Sequence, residues 1–464
     1  KIVFSGLGIA AAYKFIADGL CLFPSETHWE IKKFKGSGFG IDVLPALAGV
    51  GYICGIKIAG YMFSGGIIAW FVIMPLIALF GADALIAPSD KIISEMSANE
   101  IWSSYVRYIG AGAVAAGGII SLFKTLPTII KTFSKAITGF GHKETEIMRT
   151  NRDLPMPFVI GGALAIAIII WIMPSVPISF LGALIIVIFG FFFATVSSRM
   201  VGLVGSSNNP ISGMAIATLL IATATLKATG TGGYKGMASA ICIGTVICIV
   251  AAMAGDTSQD LKTGYIVGAT PVRQQIGELI GAVISGLAIG GIMYLLDSAW
   301  GYSSKELPAP QASLMKLVVE GVMGGSLPWG LVFCGIGIAV AIEILGLPIL
   351  PVAIGLYLPI HLSSPIFIGG VIRWFLENKK KCNSDNERKS IIENGILYSS
   401  GLIAGEGLVG ILLAILAIIP FKDGTVAGFI NLGKILGNAG GIIFFILLLA
   451  TLIYFSMHKD KAAD

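Results

Sequence analysis

The chain has 464 residues, 55% of them hydrophobic and only 12% charged, with a net charge of +5 at pH 7 and a mean hydropathy of +0.88. A soluble domain carries about a quarter of its residues as charges, so a water-facing fold of this length is excluded. Lipid is the solvent that remains, and the 61 glycines suit helices that pack closely inside it. The small charge and the lack of aromatics beside basic runs give no nucleic-acid surface.

A spanning helix needs roughly 20 mostly apolar residues. By that rule the chain predicts an all-α polytopic membrane protein with about thirteen apolar segments. The early ones lie near 2–23, 43–63, 64–82 and 103–124. The next lie near 157–173, 178–196, 211–226, 236–254 and 275–296, and the last near 314–346, 348–376, 396–419 and 437–457. The chain opens at Lys1 with neither Met nor a cleavable leader, so the first span is expected to be incomplete and the chain to begin inside a longer protein. Segments 314–346 and 348–376 are interrupted by Gly324-Gly325, Pro328, Pro348, Pro351, Pro359 and Pro365. Broken or re-entrant helices are therefore expected there, as in transporter binding sites.

The sequence reads as a single transmembrane domain over 1–464, with basic cytoplasmic loops at 125–156 and 377–390. Lys131, Lys135, Lys143, Arg149 and Arg152 mark the first, and Lys379, Lys380, Lys381, Arg388 and Lys389 the second. Counting spans from them puts the C-terminus inside. Lys32, Lys33 and Lys35 resist this count and suggest an interfacial turn. Residues 125–138 read equally as an amphipathic surface helix or as an extension of the preceding span.

The densest polar stretch in a chain with few polar groups is Gly255 to Gln275. It holds Asp256, Gln259, Asp260, Lys262, Thr263 and Tyr265. On a helix Asp256 and Asp260 share one face, Lys262 is placed to neutralise one of them, and Pro271 suits a first helical turn. Two readings stand side by side: a binding segment for a charged, peptide-like solute, or a polar cytoplasmic loop. Asn208, Asn209 and Pro210 can start a half-helix whose free N–H groups favour a carboxylate; a plain cap is the alternative.

This stretch resembles the signature of the oligopeptide transporter family, to which the plant yellow-stripe-like metal-chelate carriers are related. The resemblance rests on Gly255-Asp256, Gln259-Asp260-Leu261-Lys262-Thr263-Gly264-Tyr265 and Ala269-Thr270-Pro271. Further matches are Asn209-Pro210-Ile211-Ser212-Gly213-Met214, Gly355-Leu356-Tyr357-Leu358-Pro359 and Gly401-Leu402-Ile403-Ala404-Gly405-Glu406. The short loops resemble the prokaryotic branch. The resemblance implies that this chain is the C-terminal majority of a carrier of roughly sixteen spans. It also implies proton-coupled uptake of short peptides or peptide-like metal chelates at a multi-pass prokaryotic inner membrane.

Isolated carboxylates add a second clue. Glu343 and Glu406 stand among Ile, Leu, Ala and Gly. An ionised group at the bilayer centre costs at least roughly 2.5 kcal/mol, so such a carboxylate is a candidate proton carrier or a neutral interhelical hydrogen-bonding group. Tyr357, inside a broken segment, is a candidate ligand contact or a packing aromatic. Lys14 and Asp18, four apart, are expected to neutralise each other. The partners expected are the solute, protons and lipid, and a homo-oligomer is compatible with the chain. No cofactor is expected. The four histidines and six cysteines show no metal-ligand spacing, and Gly230 to Gly236 lacks the P-loop pattern. With no enzyme motif found, the competing readings are a channel with re-entrant pore segments and a membrane-embedded acid/base enzyme.

Overall fold

The computed structural model describes residues 1–31, 34–139, 148–204, 211–302, 304, 307, 309–324, 328–378, 385–421 and 424–458. Its helices are α1 (Ile2–Lys14), α2 (Pro45–Ile67), α3 (Met74–Phe80), α4 (Ala98–Ile101), α5 (Arg107–Gly139), α6 (Met156–Ile172), α7 (Phe180–Val204), α8 (Ile211–Ala228) and α9 (Gly233–Val267). There follow α10 (Pro271–Trp300), α11 (Pro310–Gly324), α12 (Trp329–Ile344), α13 (Ile349–Tyr357), α14 (Ile360–Glu377), α15 (Asp385–Ile418), α16 (Val426–Ile430) and α17 (Gly437–Met457). The strands form two antiparallel hairpins, β1 (Glu26–Glu30) with β2 (Gly38–Asp42) and β3 (Pro420–Phe421) with β4 (Gly424–Thr425). Eight helical runs among the described residues are long and apolar enough to cross a membrane. The protein is a multi-pass, all-α membrane protein.

The apolar segments at 43–63 and 64–82 join into one run, Pro45–Phe80, continued through a π-helical stretch at Ile68–Ile73. Pro45 opens α2 after extended Leu44, where a missing N–H is harmless. The run is not straight, because Gly55 has φ 77° and ψ 168°. Only glycine takes that conformation without strain, so α2 consists of two half-helices meeting at Gly55.

Three of the interruptions expected late in the chain are present, while Pro351 lies within α13 and Gly325 lies outside the described residues. Pro328, Pro348 and Pro359 are the N-cap residues of α12, α13 and α14. Leu358 and Pro359 are extended and separate α13 from α14. Pro365 does not break α14. Ser363 and Ser364 donate their hydroxyls to the Ile360 carbonyl at 3.1 and 2.8 Å in the same turn, supplementing the local bonding.

The chain forms two compact units. The first comprises Lys1–Val114, Ile292–Pro308 and Pro328–Asp464, the second Ala115–Gly291 and Ala309–Leu327. In the first, α2 packs on α14 through reciprocal glycines. A Cβ at Gly51 would strike the Ile366 carbonyl, and one at Gly369 the Ala48 carbonyl. The same device joins α1 to α15, with Gly6 against the Tyr398 carbonyl and Gly401 against the Val3 carbonyl. Small residues let such backbones touch where lipid supplies no hydrophobic drive. Tyr13, Phe23, Tyr398, Phe445 and Leu448 pack beside this pair. In the second unit α7, α8, α9 and α11 enclose Leu219, Leu226, Ile243 and Val319. Residues 125–139 continue α5 as helix.

Candidate functional site

In the second unit the polar run 255–275 is a helical corner. The helix α9 persists through Asp256, Gln259, Asp260, Lys262, Thr263 and Tyr265 and stops at Gly268, whose φ is 72°. The Gly268 N–H reaches the Tyr265 carbonyl at 3.3 Å and the Ala269 N–H reaches Gly264 at 2.7 Å, a Schellman closure. Pro271 then opens α10, as its position in the sequence suggested.

Several polar residues of the run fasten this corner. Gln274 donates through Nε2 to Asp260 Oδ2 at 3.0 Å and to the Asp260 carbonyl at 3.1 Å. Gly264 lies opposite, and a Cβ there would displace the Gln274 amide from this place. Arg149 donates to Thr270 Oγ1 at 2.7 Å and to the Gly268 carbonyl at 2.9 Å. Gln275 accepts the Leu154 N–H at 2.8 Å. Thr257 donates to Glu278 Oε2 at 2.7 Å. Lys262 does not pair with Asp256 or Asp260; its ammonium lies 5.3 Å from the centre of the Tyr265 ring. Asp256, Asp260, Lys262, Thr263 and Tyr265 are exposed, and Gln259 is half-buried. Thr263 bonds back to the Gln259 carbonyl at 3.0 Å. Asn208, Asn209 and Pro210 lie outside the described residues.

The first unit carries a charged network that the sequence showed only in part. Lys14 Nζ lies 2.5 Å from Asp18 Oδ2, the expected four-apart pair, and also 3.6 Å from Glu406 Oε1. Glu406 Oε2 accepts the Ala46 N–H at 2.7 Å, in the first turn of α2. Asp18 accepts the Ser25 hydroxyl. The network therefore ties α1, α2 and α15 together at one half-buried place. It holds two carboxylates and one ammonium, so with every group ionised it carries one surplus negative charge. Low dielectric makes such a surplus expensive, and one proton relieves it.

Beside it, the break in α2 has a cation of its own. Arg373 of α14 donates through Nη1 to the Tyr52 carbonyl at 3.2 Å and the Ile53 carbonyl at 2.7 Å. Its Nε donates to Glu377 Oε1 at 2.7 Å. These carbonyls end the first half-helix and would otherwise lack partners. Arg373 was not singled out from the sequence. One basic residue near a helix end is indistinguishable there from a positive-inside marker.

Tyr357 is 2% exposed at the C-terminal end of α13, with the Arg107 guanidinium 6.0 Å from its ring centre. Gly110 packs on its backbone, so packing accounts for much of its setting. Glu343 lies half-buried in the last turn of α12. Glu343, Glu406 and Tyr357 belong to the first unit, and the run 255–275 to the second. Among the described residues no group of three or more His, Cys, Asp or Glu side chains is placed to hold a metal ion.

The family model described as OPT oligopeptide transporter protein matches residues 2–417. A Haemophilus influenzae protein that bears the name of an oligopeptide transporter is 29% identical over 464 residues, covering 89% of this chain and 72% of its own length. A protein of Oryza sativa subsp. japonica bearing the name of a metal-nicotianamine transporter is 26% identical over 443 residues, covering 87% of this chain and 60% of its own. An Arabidopsis thaliana protein with the same kind of name is 25% identical over 463 residues, covering 88% and 60%. The chain thus spans less than two thirds of the length of these two plant proteins.

Proposed function

Because this chain belongs to the oligopeptide transporter family, we propose that it is a secondary active transporter that carries short peptides or peptide-like metal chelates inward together with protons. The observation that carries the coupling is the surplus carboxylate in the Lys14, Asp18 and Glu406 network. Glu406 takes a proton when the network faces one side of the membrane and gives it up on the other. Its second oxygen holds the start of α2, so protonation is felt by a broken helix. Glu343 is a second candidate carrier. Alternating access about the discontinuous helices α2, α13 and α14 would move the solute.

The residues proposed to contact solute are, in the second unit, Asp256, Gln259, Asp260, Lys262, Thr263 and Tyr265, and, taken by itself in the first unit, Tyr357; Asn208 and Asn209 are proposed as well. Carboxylates and an ammonium on one exposed helical end suit a zwitterionic solute. Asp260 has part of its hydrogen-bonding capacity committed to Gln274, which makes Lys262 and Asp256 the freer pair for a ligand's two ends. The membrane proposed is a prokaryotic inner membrane, with the C-terminus cytoplasmic.

Purified protein in liposomes tests the coupling. Glu406→Gln keeps an oxygen for the Ala46 N–H and removes the surplus charge. The expected result is loss of gradient-driven peptide accumulation with peptide exchange retained. Accumulation unchanged in this variant would remove Glu406, and wild-type uptake that moves no protons would end the coupling.

A further inference from the structure

The four histidines are far apart in sequence, yet the fold brings His28 and His361 together. Their ring centres are 6.3 Å apart and nearly perpendicular, with β1 carrying the first and the opening turn of α14 the second. His361 Nδ1 is 3.0 Å from both oxygens of Asp42. That carboxylate is 3% exposed, and since an ionised carboxylate only accepts, Nδ1 carries the hydrogen.

The strand β2 is built to hold this group. Residues 38, 40 and 42 fall on one face of the strand, and they are Gly, Gly and Asp. A Cβ at Gly38 would press on His28 Cε1 and Trp70 Cζ3, each at 3.2 Å. A Cβ at Gly40 would lie 2.8 Å from His361 Cβ and 3.3 Å from His28 Nδ1. The two glycines clear space for two imidazoles and an indole, and the aspartate closes the row.

The hydrogen bonding is unbalanced. Both ring nitrogens of His28 are buried and have no hydrogen-bond partner among the described residues, and the same is true of Nε1 of fully buried Trp70, 5.7 Å from His28 between ring centres. A neutral imidazole tolerates this better than a charged one, which must place two donors. Among the described residues, the charged or titratable groups facing His28 are His361 on α14, Asp42 on β2 and Glu30 on its own strand. Asp42 is already engaged by His361. One buried carboxylate thus serves two imidazoles.

We infer that His28, His361 and Asp42 form a proton-binding site that fastens the β1–β2 hairpin to the start of α14 while His28 is neutral and loosens it when His28 takes a proton. Charging His28 pulls Asp42 away from His361 or drives the hairpin off the helix. Burial, and then the neighbouring His361, push the His28 imidazole below the usual histidine value. A group depressed in the folded state binds its proton more readily when released. The hairpin's attachment is therefore complete above the ordinary histidine value of about 6.5 and weakens as pH falls through and below it. This site is separate from the Glu406 network, and its test uses no transport measurement.

The full-length protein labelled with 13C-histidine provides that test, with His28→Gln assigning the resonance. His28 is expected to titrate below an ordinary histidine. Its midpoint should rise by roughly half a pH unit or more in His361→Gln, which removes the neighbouring imidazole and frees Asp42, and fall in Asp42→Asn. A midpoint that moves in neither variant overturns the site. Should a variant not fold, the wild type and His28→Gln suffice. Amide exchange across residues 26–42, corrected for the intrinsic effect of pH, should accelerate in the wild type as pH falls from about 6.5 to the His28 midpoint and stay flat in His28→Gln. Equal protection at the two ends of that range in the wild type overturns the release.

Discussion

At the scale of single residues, Arg373 shows how a side chain substitutes for a helical turn. Its fork supplies donors to the Tyr52 and Ile53 carbonyls while Glu377 holds its Nε. Replacing Arg373 by Met leaves both carbonyls without that donor and is expected to destabilise the protein by about 2 kcal/mol. Thermal unfolding in detergent measures this, and Arg373→Lys should recover only part of it, because an ammonium lacks the planar fork. Glu100 offers a simpler case outside the spans. The Lys91 ammonium at 2.5 Å and the Ser97 cap hold its carboxyl down at about 2. In Lys91→Met a titration of Glu100 should move up toward the ordinary carboxylate range. Neither Arg373 nor the two histidines was legible in the sequence, since each gains its meaning from a contact across some 300 positions. Glu406 was legible because a carboxylate among Ile, Leu and Gly has few innocent explanations. Its partner Lys14, at the other end of the chain, was read only with Asp18.

Among the elements, the glycine seams decide which helices pair. Gly369→Leu drives a side chain into the backbone of α2 and is expected to cost at least about 3 kcal/mol or to prevent folding. Gly277→Leu, at a position with open space around it on α10, should leave the unfolding temperature unchanged or slightly raised. Equal effects of the two would mean that the seam is not what joins α2 to α14. Proline-marked breaks were readable, because Pro at a helix start is a local rule. The break at Gly55 was not, since one glycine among many carries no sign of its φ. The polar run looked as much like a loop as a site because a membrane span was assumed to end with its apolar residues. With 35 residues α9 is about 52 Å long, well beyond a hydrocarbon core of about 30 Å, so its polar end continues as helix outside it.

For the whole molecule, hydropathy carried the class and the family signature carried the kind of work. Of the thirteen apolar segments, those at 43–63 and 64–82 join into one run, those at 314–346 and 348–376 are each divided into two helices, and that at 211–226 is a shorter helix, so eight runs among the described residues are long and apolar enough to span. The proposed cytoplasmic C-terminus has a direct check. A fluorescent protein fused after Asp464 should mature and emit in a bacterial host, whereas a dark fusion at normal protein levels would place that end outside.

The bend at Gly55 has a mechanical consequence. Arg373 belongs to α14 but grips the end of a half-helix of α2, so it acts as a pin through a hinge. Straightening α2 would withdraw two carbonyls from that pin, and sliding α14 would drag them along. Bend and slide are thereby linked through two hydrogen bonds, so a displacement of either helix strains the contact with the other.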